Sequence, residues 1–253
     1  MIELQHLSRS YDGRPALRDV SAVFPQGGFT CLVGPNGCGK TTLLKLIANI
    51  ETPDSGAALC DGQDVRAWPR RRLAQRVAYL PQTRPVPLLA AQTMIEHGRF
   101  PYLGFAKTLS PADHAAVAQA VAATDTAALI DAALPALSGG ERQRVFLAAA
   151  VAQETAYLLL DEPTTYLDTH FQIEILTLVR RLHQSGKTVL MVAHDLPQAF
   201  AYADTICVMQ AGRLLCQAAP QELCNSDLLR RVFGYTLKRN PDAAAVYPYY
   251  LHR

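Results

Sequence analysis

The chain has 253 residues, of which 49% are apolar, and a formal net charge of +2. This length accommodates one α/β domain with inserts or two small domains, and it is sufficient to bury a sizeable core. Charges of both signs occur throughout, without the basic stripe that nucleic-acid binding requires, so we expect no nucleic-acid partner.

The sequence contains neither a membrane-spanning stretch nor a secretion signal. No uninterrupted apolar run approaches the roughly 18 to 20 residues that a spanning helix needs. The first five residues lack the basic start and apolar core of a signal peptide. We therefore expect the protein to stay in the cytosol, where its six scattered cysteines, which lack Cys-x-x-Cys spacing, remain free thiols.

Residues 1–33 predict an antiparallel strand layer that leads into a buried strand. Apolar and polar residues alternate here, with turn signals at Asp12-Gly13 and Gly27-Gly28. The apolar run Phe29–Val33 predicts the buried strand. Tyr11 is either an aromatic that stacks on a base or an ordinary tyrosine at a strand end, and its position favours neither.

A glycine-rich loop follows that strand and precedes an amphipathic run over residues 42–48 that predicts a helix. Glycines permit backbone angles that let successive N–H groups point at a polyphosphate, and a helix N-terminus adds about half a positive charge. Lys40 is expected to bridge the outer phosphates, and the Thr41 hydroxyl is expected to ligate magnesium. The alternative is a glycine-rich turn that binds nothing, and chance would produce this pattern in on the order of one chain in a hundred. The loop consists of Gly34, Pro35, Asn36, Gly37, Cys38, Gly39, Lys40 and Thr41.

Cys38 lies inside this loop, close to the predicted helix N-terminus. A helix N-terminus lowers the pKa of a nearby thiol, and the thiolate is the reactive species. We therefore expect Cys38 to be the exception among the six cysteines, with a lowered thiol pKa that could make it reactive.

Residues 52–80 predict a turn, a hairpin-like pair and a further strand. Pro53–Gly56 supply the turn residues, and the cationic run Arg70–Arg72 is expected to be a solvated face. Arg76–Leu80 predicts a strand that ends at Pro81-Gln82.

Residues 83–137 predict a helical insert carried on an α/β core. The segment is rich in alanine and begins with a loop broken by prolines. Ser110–Asp113 provides an N-cap, a proline at the first helical position and an acid in the first turn. Helices are expected through about Ala123 and again from about Asp125.

Two continuous apolar runs, at 156–160 and 188–193, flank a helical pattern from about Thr169 to Gln184. Strands that are apolar on both faces belong to a parallel sheet covered on both sides. Ligands of such sheets lie outside the carboxyl ends of the strands. This rule predicts that one edge of the sheet carries the glycine-rich loop, Gln82, Asp161-Glu162 and His194.

Residues 198–253 predict a helix to about Ala203 and a hairpin-like pair of strands around Ala211-Gly212. A short helix and an aromatic tail, Tyr247–Tyr250, follow. The sequence assigns no role to this tail.

Asp161 and Glu162 are adjacent carboxylates at the end of a predicted strand. They would repel each other without a cation or a water network between them. Asp161 is therefore expected to bind magnesium, and Glu162 to orient and polarise the water that attacks the γ-phosphate. A solvated acidic turn is the alternative.

Gln82 and His194 are the other candidate catalytic residues. A neutral His194 imidazole could hydrogen-bond the γ-phosphate and the attacking water, although a lone histidine at a strand end is more often structural. Gln82 could be a plain polar residue at a loop start. Its amide could also reach the magnesium or the water and link the site mechanically to the insert.

Leu137–Glu141 is a second strong motif and runs into a predicted helix. Ser138 and Glu141 form a capping box, so a well-capped helix start is the structural alternative. Gly139 and Gly140 leave bare N–H groups at the positive helix end, which predicts a second anion site. If two copies face each other, each of these helices caps the ATP of the other copy, so we hypothesise a nucleotide-sandwich homodimer.

These motifs occur in the order and rough spacing found in ABC transporter ATPases, and the chain resembles that family over nearly its whole length. The resemblance implies an α/β fold with a P-loop NTPase core of mostly parallel sheet, an antiparallel β subdomain and an inserted α-helical subdomain. It also implies a single ABC ATPase domain over 1–253, with the core and β subdomain at 1–82 and 156–253 and the insert, which carries the signature helix, at 83–155. The matching motifs are Walker A (Gly34–Thr42), the Q-loop (Gln82), the signature (Leu137–Glu141), Walker B (Leu158–Glu162), the D-loop (Leu167-Asp168) and the H-switch (His194).

Narrower features resemble importer ATPases that serve iron-siderophore, haem and cobalamin complexes. They are Gly98–Gly104, Pro163–Asp168 and the absence of a long C-terminal regulatory domain. The resemblance implies ATP and Mg²⁺ as cofactors. It also implies the following site residues: Glu162, His194 and Gln82 as catalytic; Thr41, Gln82 and Asp161 as magnesium ligands; Thr42, Ser138, Gly139, Gly140 and Asp168 as nucleotide-binding residues beside the loop; and Tyr11 as the aromatic that stacks on adenine.

The resemblance further implies a homodimer bound to transmembrane permease subunits at the cytoplasmic face of the inner membrane, peripheral to it. An extracytoplasmic binding protein would deliver the substrate, and Gln82 would connect ATP to the surface that docks the permease. An exporter cassette and a soluble ABC ATPase that remodels DNA or ribosomes are the alternatives. The sequence departs from the family pattern at two places. Cys38 stands where serine is also common, and Ala149–Gln153 replaces a more usual arginine-containing helix. Neither departure removes a catalytic group.

Overall fold

The computed structural model describes residues 1–104, 108–224, 226–242 and 248–252. Contacts group the chain into two compact units, residues 1–67 with 188–253 and residues 68–187. The single ATPase domain with an insert at 83–155 stays a prediction.

In chain order the elements are β1 (Ile2–Tyr11), β2 (Arg14–Phe24), β3 (Phe29–Val33), α1 (Lys40–Ile47), β4 (Ser55–Cys60), β5 (Gln63–Asp64), α2 (Arg70–Ala74), β6 (Val77–Leu80), α3 (Ala91–Glu96), α4 (Pro111–Ala123), α5 (Gly139–Ala152), β7 (Tyr157–Asp161), α6 (Thr169–Gln184), β8 (Thr188–Val192), α7 (Leu196–Tyr202), β9 (Thr205–Gln210), β10 (Arg213–Ala218), α8 (Pro220–Leu223), α9 (Asp227–Phe233), β11 (Thr236–Arg239) and β12 (Tyr249–His252).

In the first unit, the N-terminal strands form an antiparallel sheet in the order β2-β1-β4-β5. β1 pairs with β2 from Ile2 opposite Phe24 to Tyr11 opposite Arg14, and it pairs with β4 along its other edge. Ile2 and Leu4 are buried, in keeping with the alternation that predicts one covered face. The antiparallel layer and the hairpin of β4 and β5 are therefore confirmed.

The central strand of the first unit is β3, which lies between the parallel neighbours β8 and β9. Every residue of β3 and of β8 is buried, as expected of strands that are covered on both faces. β10 pairs antiparallel with β9. Because β3 and β8 run in the same direction, the loop after Val33 and the residue His194 follow neighbouring strand ends.

The second unit contains the parallel pair β6 and β7, in register from Val77 opposite Tyr157 to Leu80 opposite Leu160. Gln82 and Glu162 therefore follow neighbouring strand ends in this unit. Arg70–Arg72 begin α2 and are exposed, as predicted. Across the described ranges, every helix falls short of the length and apolar character that a transmembrane span requires.

The insert differs from the prediction in two places. α3 was not predicted, because six residues are too few to show a helical period. The helix predicted from about Asp125 is wrong, since that stretch forms the 3₁₀ turns Ala127–Leu129 and Leu134–Ala136 before α5 begins. Asp125 has a φ of +53°, a left-handed conformation that ends a helix.

A buried arginine joins three parts of the insert. Arg99 is 4% exposed, and its guanidinium lies 2.9 Å from Asp113 and 2.7 Å from Glu154. It also donates to the carbonyl of Ala152 and stacks 3.9 Å from the ring centroid of Tyr102. The predicted N-cap of α4 at Ser110 is confirmed, and Asp113 also completes a capping box with Ser110.

Asp113→Asn is expected to lower the free energy of unfolding at pH 7 by about 2 to 3 kcal/mol, because it takes a carboxylate away from a buried cation. Hydrogen bonds from Ser110, and then the charge of Arg99, lower the pKa of Asp113 from 3.8 to about 2. The stabilisation is therefore present above pH 3.8 and disappears as pH falls through about 2. Urea denaturation of both proteins should show the difference shrink with acidification. The free energy of unfolding of the exposed control Asp131→Asn should differ from that of the parent by less than about 0.5 kcal/mol. A destabilisation by Asp113→Asn that does not change with pH would contradict the pairing of the Asp113 carboxylate with Arg99.

The C-terminus is more structured than predicted. Two short helices, α8 and α9, precede a two-stranded antiparallel sheet of β11 and β12 in place of one helix and a free tail. Tyr249 of the predicted aromatic tail is 8% exposed and packs edge-on against Phe200 of α7 at 5.6 Å between ring centroids. Tyr247 lies outside the described residues.

Candidate functional site

The glycine-rich loop of the first unit connects β3 to α1, as predicted. Gly39 is the N-cap of α1 with a φ of +104°. A Cβ atom at this position would lie 2.4 Å from the carbonyl oxygen of Ala16, so only glycine fits both the conformation and the space. The loop therefore packs on β2 while its outer residues Asn36 and Gly37 stay exposed.

Lys40 is held by the loop itself. The side chain is 5% exposed, and its Nζ donates to the carbonyl oxygens of Gly34 at 2.7 Å and Pro35 at 3.1 Å. A polyphosphate offers stronger acceptors to an ammonium group than two neutral carbonyls do. This arrangement fits the expected role of Lys40 at the outer phosphates. Thr41 is half-buried and Thr42 is buried in the first turn of α1.

The expected lowering of the Cys38 thiol pKa is wrong. The side chain is 3% exposed, and burial raises the pKa of its thiol, an effect that exceeds the opposing influence of the Lys40 charge. Because Cys38 points inward beneath the loop, the helix N-terminus does not confer reactivity on it.

Two other predicted site residues belong to the first unit. Tyr11 is 38% exposed, its hydroxyl donates to Glu51, and the guanidinium of Arg9 lies 5.0 Å from its ring centroid. His194 is exposed directly after β8, beside Asp195, which caps α7 by accepting from the N–H of Gln198 at 2.8 Å. Their contacts with a nucleotide stay predictions.

The acidic pair of the second unit is built on the end of β7. Asp161 is 1% exposed, and the Tyr79 hydroxyl donates to its Oδ2 at 3.1 Å. Glu162 is 8% exposed and has a φ of +51°. Its Oε2 accepts from the Gln82 amide and, at 3.1 Å, from the Thr165 hydroxyl. The structure thus brings Gln82 and Glu162 together and shows that this segment is an organised, largely buried cluster and not a solvated turn.

These donors fit a magnesium ion. Among the described residues, no group of three or more His, Cys, Asp and Glu side chains could hold a metal on its own. Mg²⁺, however, is commonly bound by one or two carboxylates together with phosphate oxygens and water. Asp161 offers such a carboxylate. Gln82 donates through its amide nitrogen to Glu162, which leaves the amide oxygen as the atom of that side chain able to ligate a cation.

Arg84, two residues after Gln82, contacts the signature helix. The Arg84 guanidinium donates to Gln143 Oε1 at 3.1 Å and lies 3.9 Å from the ring centroid of Phe146, both on α5. Burial lowers the pKa of Arg84 to about 10. The segment that follows Gln82 therefore contacts α5, and a mechanical link from Gln82 to the insert stays a prediction.

The signature helix α5 begins with the predicted capping box. Glu141 Oε2 accepts from the N–H of Ser138 at 2.9 Å, and Ser138 Oγ accepts from the N–H of Glu141 at 3.3 Å. Ser138 and Gly139 are exposed, whereas Gly140 is buried. A Cβ atom on Gly140 would lie 2.1 Å from the ring of Phe171 on α6. Close packing against Phe171 therefore accounts for glycine at position 140. An accessible helix N-terminus accounts for glycine only at position 139.

Gly140→Ala is expected to destabilise the protein by about 1 to 3 kcal/mol, although alanine favours helix more than glycine does, because the new methyl group overlaps Phe171. Thermal unfolding monitored by circular dichroism measures the change. Gly139→Ala is the matched control, since its Cβ would meet its nearest neighbour, Leu167, at 3.6 Å. Equal melting temperatures for Gly140→Ala and the parent would contradict the packing argument.

Asp168 has a visible structural role. Its Oδ1 accepts from the N–H of Phe171 at 3.1 Å and caps α6. Its contact with a nucleotide stays a prediction.

Sequence reasoning missed Tyr79, Thr165 and Arg84. Tyr79 and Thr165 contact the two carboxylates, and Arg84 contacts the signature helix. Only Thr165 has a sequence signal, a hydroxyl residue three positions after Glu162, which suits a local side-chain hydrogen bond.

Comparisons with known proteins agree with this architecture. The model of the ABC transporter family matches residues 17–165. The chain is 36% identical to the ferric enterobactin transport ATP-binding protein FepC of Escherichia coli (strain K12), over 91% of the chain and 86% of that protein. It is 40% identical to the hemin import ATP-binding protein HmuV of Rhodococcus jostii (strain RHA1), over 89% of the chain and 77% of that protein.

The fold is also found in a solved structure. The dimeric structure of MJ0796, a bacterial ABC transporter cassette, superposes with a TM-score of 0.77 at 26% identity and covers 87% of the chain and 99% of that cassette. The α/β fold with a P-loop NTPase core is therefore confirmed. Since the family model and both relatives span most of the sequence, the chain belongs to the ABC transporter family and is an ATPase that uses ATP with Mg²⁺.

Proposed function

We propose that this chain powers the import of a metal chelate through a membrane permease, with an iron-siderophore complex as the first candidate cargo and haem or cobalamin next. Two relatives over 35% identical carry names of ferric enterobactin transport and hemin import, which supports this cargo class. The proposed mechanism of ATP hydrolysis rests on one observation. The Glu162 carboxylate accepts hydrogen bonds from Gln82 and Thr165 and lies next to the buried Asp161.

In this proposal Glu162 orients and polarises the attacking water. A general base must lie within hydrogen-bond reach of the proton that it accepts, and a carboxylate fixed by two donors keeps such a geometry. His194 contacts the γ-phosphate and the water as a neutral imidazole, and Lys40 holds the outer phosphates. Tyr11 stacks on the adenine, and the N–H groups of the glycine-rich loop bind phosphate oxygens.

Thr41, Gln82 and Asp161 would hold the magnesium ion, which would neutralise charge on the phosphates when bound. Asp161 is oriented by the Tyr79 hydroxyl, so its ligand oxygen has a defined direction. Gln82 uses different atoms for the cation and for Glu162.

The working form is a homodimer in which the signature segment of each copy caps the ATP of the other. The exposed Ser138 and Gly139 present a hydroxyl and backbone N–H groups at the N-terminus of a 14-residue helix, a favourable end for a γ-phosphate. The dimeric cassette with the same fold supports this assembly.

The insert supplies exposed apolar side chains for contact with the permease. Leu88 is 89% exposed and Phe100 is 58% exposed, the latter directly after the buried Arg99. Large apolar side chains exposed on an ordered segment are typical of protein interaction sites. The chain would thus be peripheral at the cytoplasmic face of the inner membrane, and an extracytoplasmic binding protein would take part only through the permease.

Co-purification from membranes, with identification of the partner, tests this proposal. We expect an integral membrane permease to be recovered with the tagged chain, and Phe100→Ser to lose it while ATP binding persists. Leu215→Ser, which changes an exposed leucine of β10 in the first unit, is the matched control and should retain the permease. Recovery of an exporter subunit, or of ribosomes in place of membrane protein, would contradict the import assignment.

A further inference from the structure

Residues 162–168 form a short hydrogen-bonded loop between β7 and α6. Glu162 opens this loop in a left-handed conformation, and its carbonyl oxygen accepts from the N–H of Thr165 at 3.2 Å. The N–H of Leu167 donates to the carbonyl of Thr164 at 3.3 Å, and the Gln172 amide donates to the carbonyl of Leu167 at 3.0 Å. The loop is therefore tied to β7 at its start and to α6 at its end.

The Thr165 side chain returns to Glu162 across this loop. Its hydroxyl donates to Oε2 at 3.1 Å, the same oxygen that accepts from Gln82. The terminal torsion of a glutamate is soft, so hydrogen bonds and not intrinsic preference determine the orientation of its carboxylate. Because Glu162 is only 8% exposed, bulk water contributes little to that orientation.

We propose that Thr165 is a positioning residue that holds the Glu162 carboxylate in its working orientation during ATP hydrolysis. The inference rests on the proposed role of Glu162. Thr165 belongs to the loop that carries Glu162, whereas Gln82 comes from a segment 80 positions earlier and is also a proposed magnesium ligand. A donor on the same loop stays with the carboxylate when the Gln82 amide rearranges.

The Thr165 hydroxyl is the essential feature, so Thr165→Val, which keeps the shape and removes the donor, is the diagnostic variant. We expect its kcat for ATP to fall about tenfold, as the loss of a hydrogen bond to a charged group implies. The KM for ATP and the affinity for a fluorescent ATP analogue should change less than about twofold, because the lost contact acts on the water-activating group and not on nucleotide binding. Thr165→Ser should keep kcat within about twofold of the parent.

Two comparisons separate positioning from a general effect on the loop. Thr164→Val removes the neighbouring hydroxyl and should reduce kcat much less than Thr165→Val does. In a Glu162→Gln background, Thr165→Val should cause no further loss of phosphate release in single-turnover measurements, since Thr165 acts through Glu162.

An unchanged kcat in Thr165→Val would overturn the inference, as would an equal loss in Thr164→Val or in Thr165→Ser, or a full additional loss in the Glu162→Gln background. Glu162→Gln alone tests the underlying role. If that variant keeps full turnover, Glu162 does not activate the water. If it loses turnover and Thr165→Val does not, only the positioning role fails.

Discussion

Glu162→Gln is expected to bind ATP as the parent protein does and to turn it over at least about a hundredfold more slowly. Glutamine has the shape of glutamate, and its amide oxygen can still accept from Gln82 and Thr165. It cannot accept a proton from water at neutral pH. Since the ATP-bound state is then long-lived, the variant should accumulate as a dimer. Phosphate release, binding of a fluorescent nucleotide and size-exclusion chromatography measure the three effects.

Glu222→Gln is the control for this substitution, because it changes an exposed glutamate in the first turn of α8. It should retain the turnover of the parent. Full activity in Glu162→Gln would remove Glu162 from its proposed role, and a loss of ATP binding would indicate a disturbed fold.

Ser138→Arg is expected to reduce ATP hydrolysis about a hundredfold or more while nucleotide affinity changes little. The substitution places a long cation at an exposed helix N-terminus, removes the side-chain oxygen that caps α5 and covers the surface that would face the second nucleotide. Affinity is spared because the substitution leaves Lys40 and the glycine-rich loop, the proposed phosphate-binding groups, unchanged. Steady-state turnover and equilibrium nucleotide binding separate the two effects.

Ser110→Arg is the matched control for Ser138→Arg, since Ser110 is also the N-cap of a helix with an acid three positions later. This variant should lose stability and keep most of its turnover. Unchanged turnover in Ser138→Arg would argue against a site completed by a second copy.

Mixing two inactive variants tests the dimer directly. A heterodimer of Ser138→Arg and Glu162→Gln contains one site with an intact Glu162 from one copy and an intact signature from the other. Mixing should therefore restore part of the turnover, with a dependence on protein concentration. Turnover by the parent that is independent of concentration and of any permease would contradict the homodimer.

The sequence predicted the elements that depend on local pattern. The strand Phe29–Val33, the helix Thr169–Gln184, the N-cap Ser110 and the Ser138–Glu141 capping box form as expected, because side-chain periodicity and capping chemistry are encoded within a few residues. The prediction failed where a short segment gives little signal. α3 and the strands β11 and β12 have only four to six residues, and the strands are stabilised by pairing with each other and by the contact of Tyr249 with Phe200.

The sequence by itself determined that a phosphate loop, a capped signature helix and an acidic strand end follow one another along the chain, and these motifs carry the ATPase assignment. The tertiary structure alone decided which donors hold Glu162, that Gly140 packs closely against Phe171 and that burial raises the pKa of the Cys38 thiol. The contact of Gln82 with Glu162 joins residues 80 positions apart and depends on the parallel register of β6 with β7. The sequence predicted that both residues lie at one edge of the sheet, but which strands pair, and in which register, became visible only in the folded sheet.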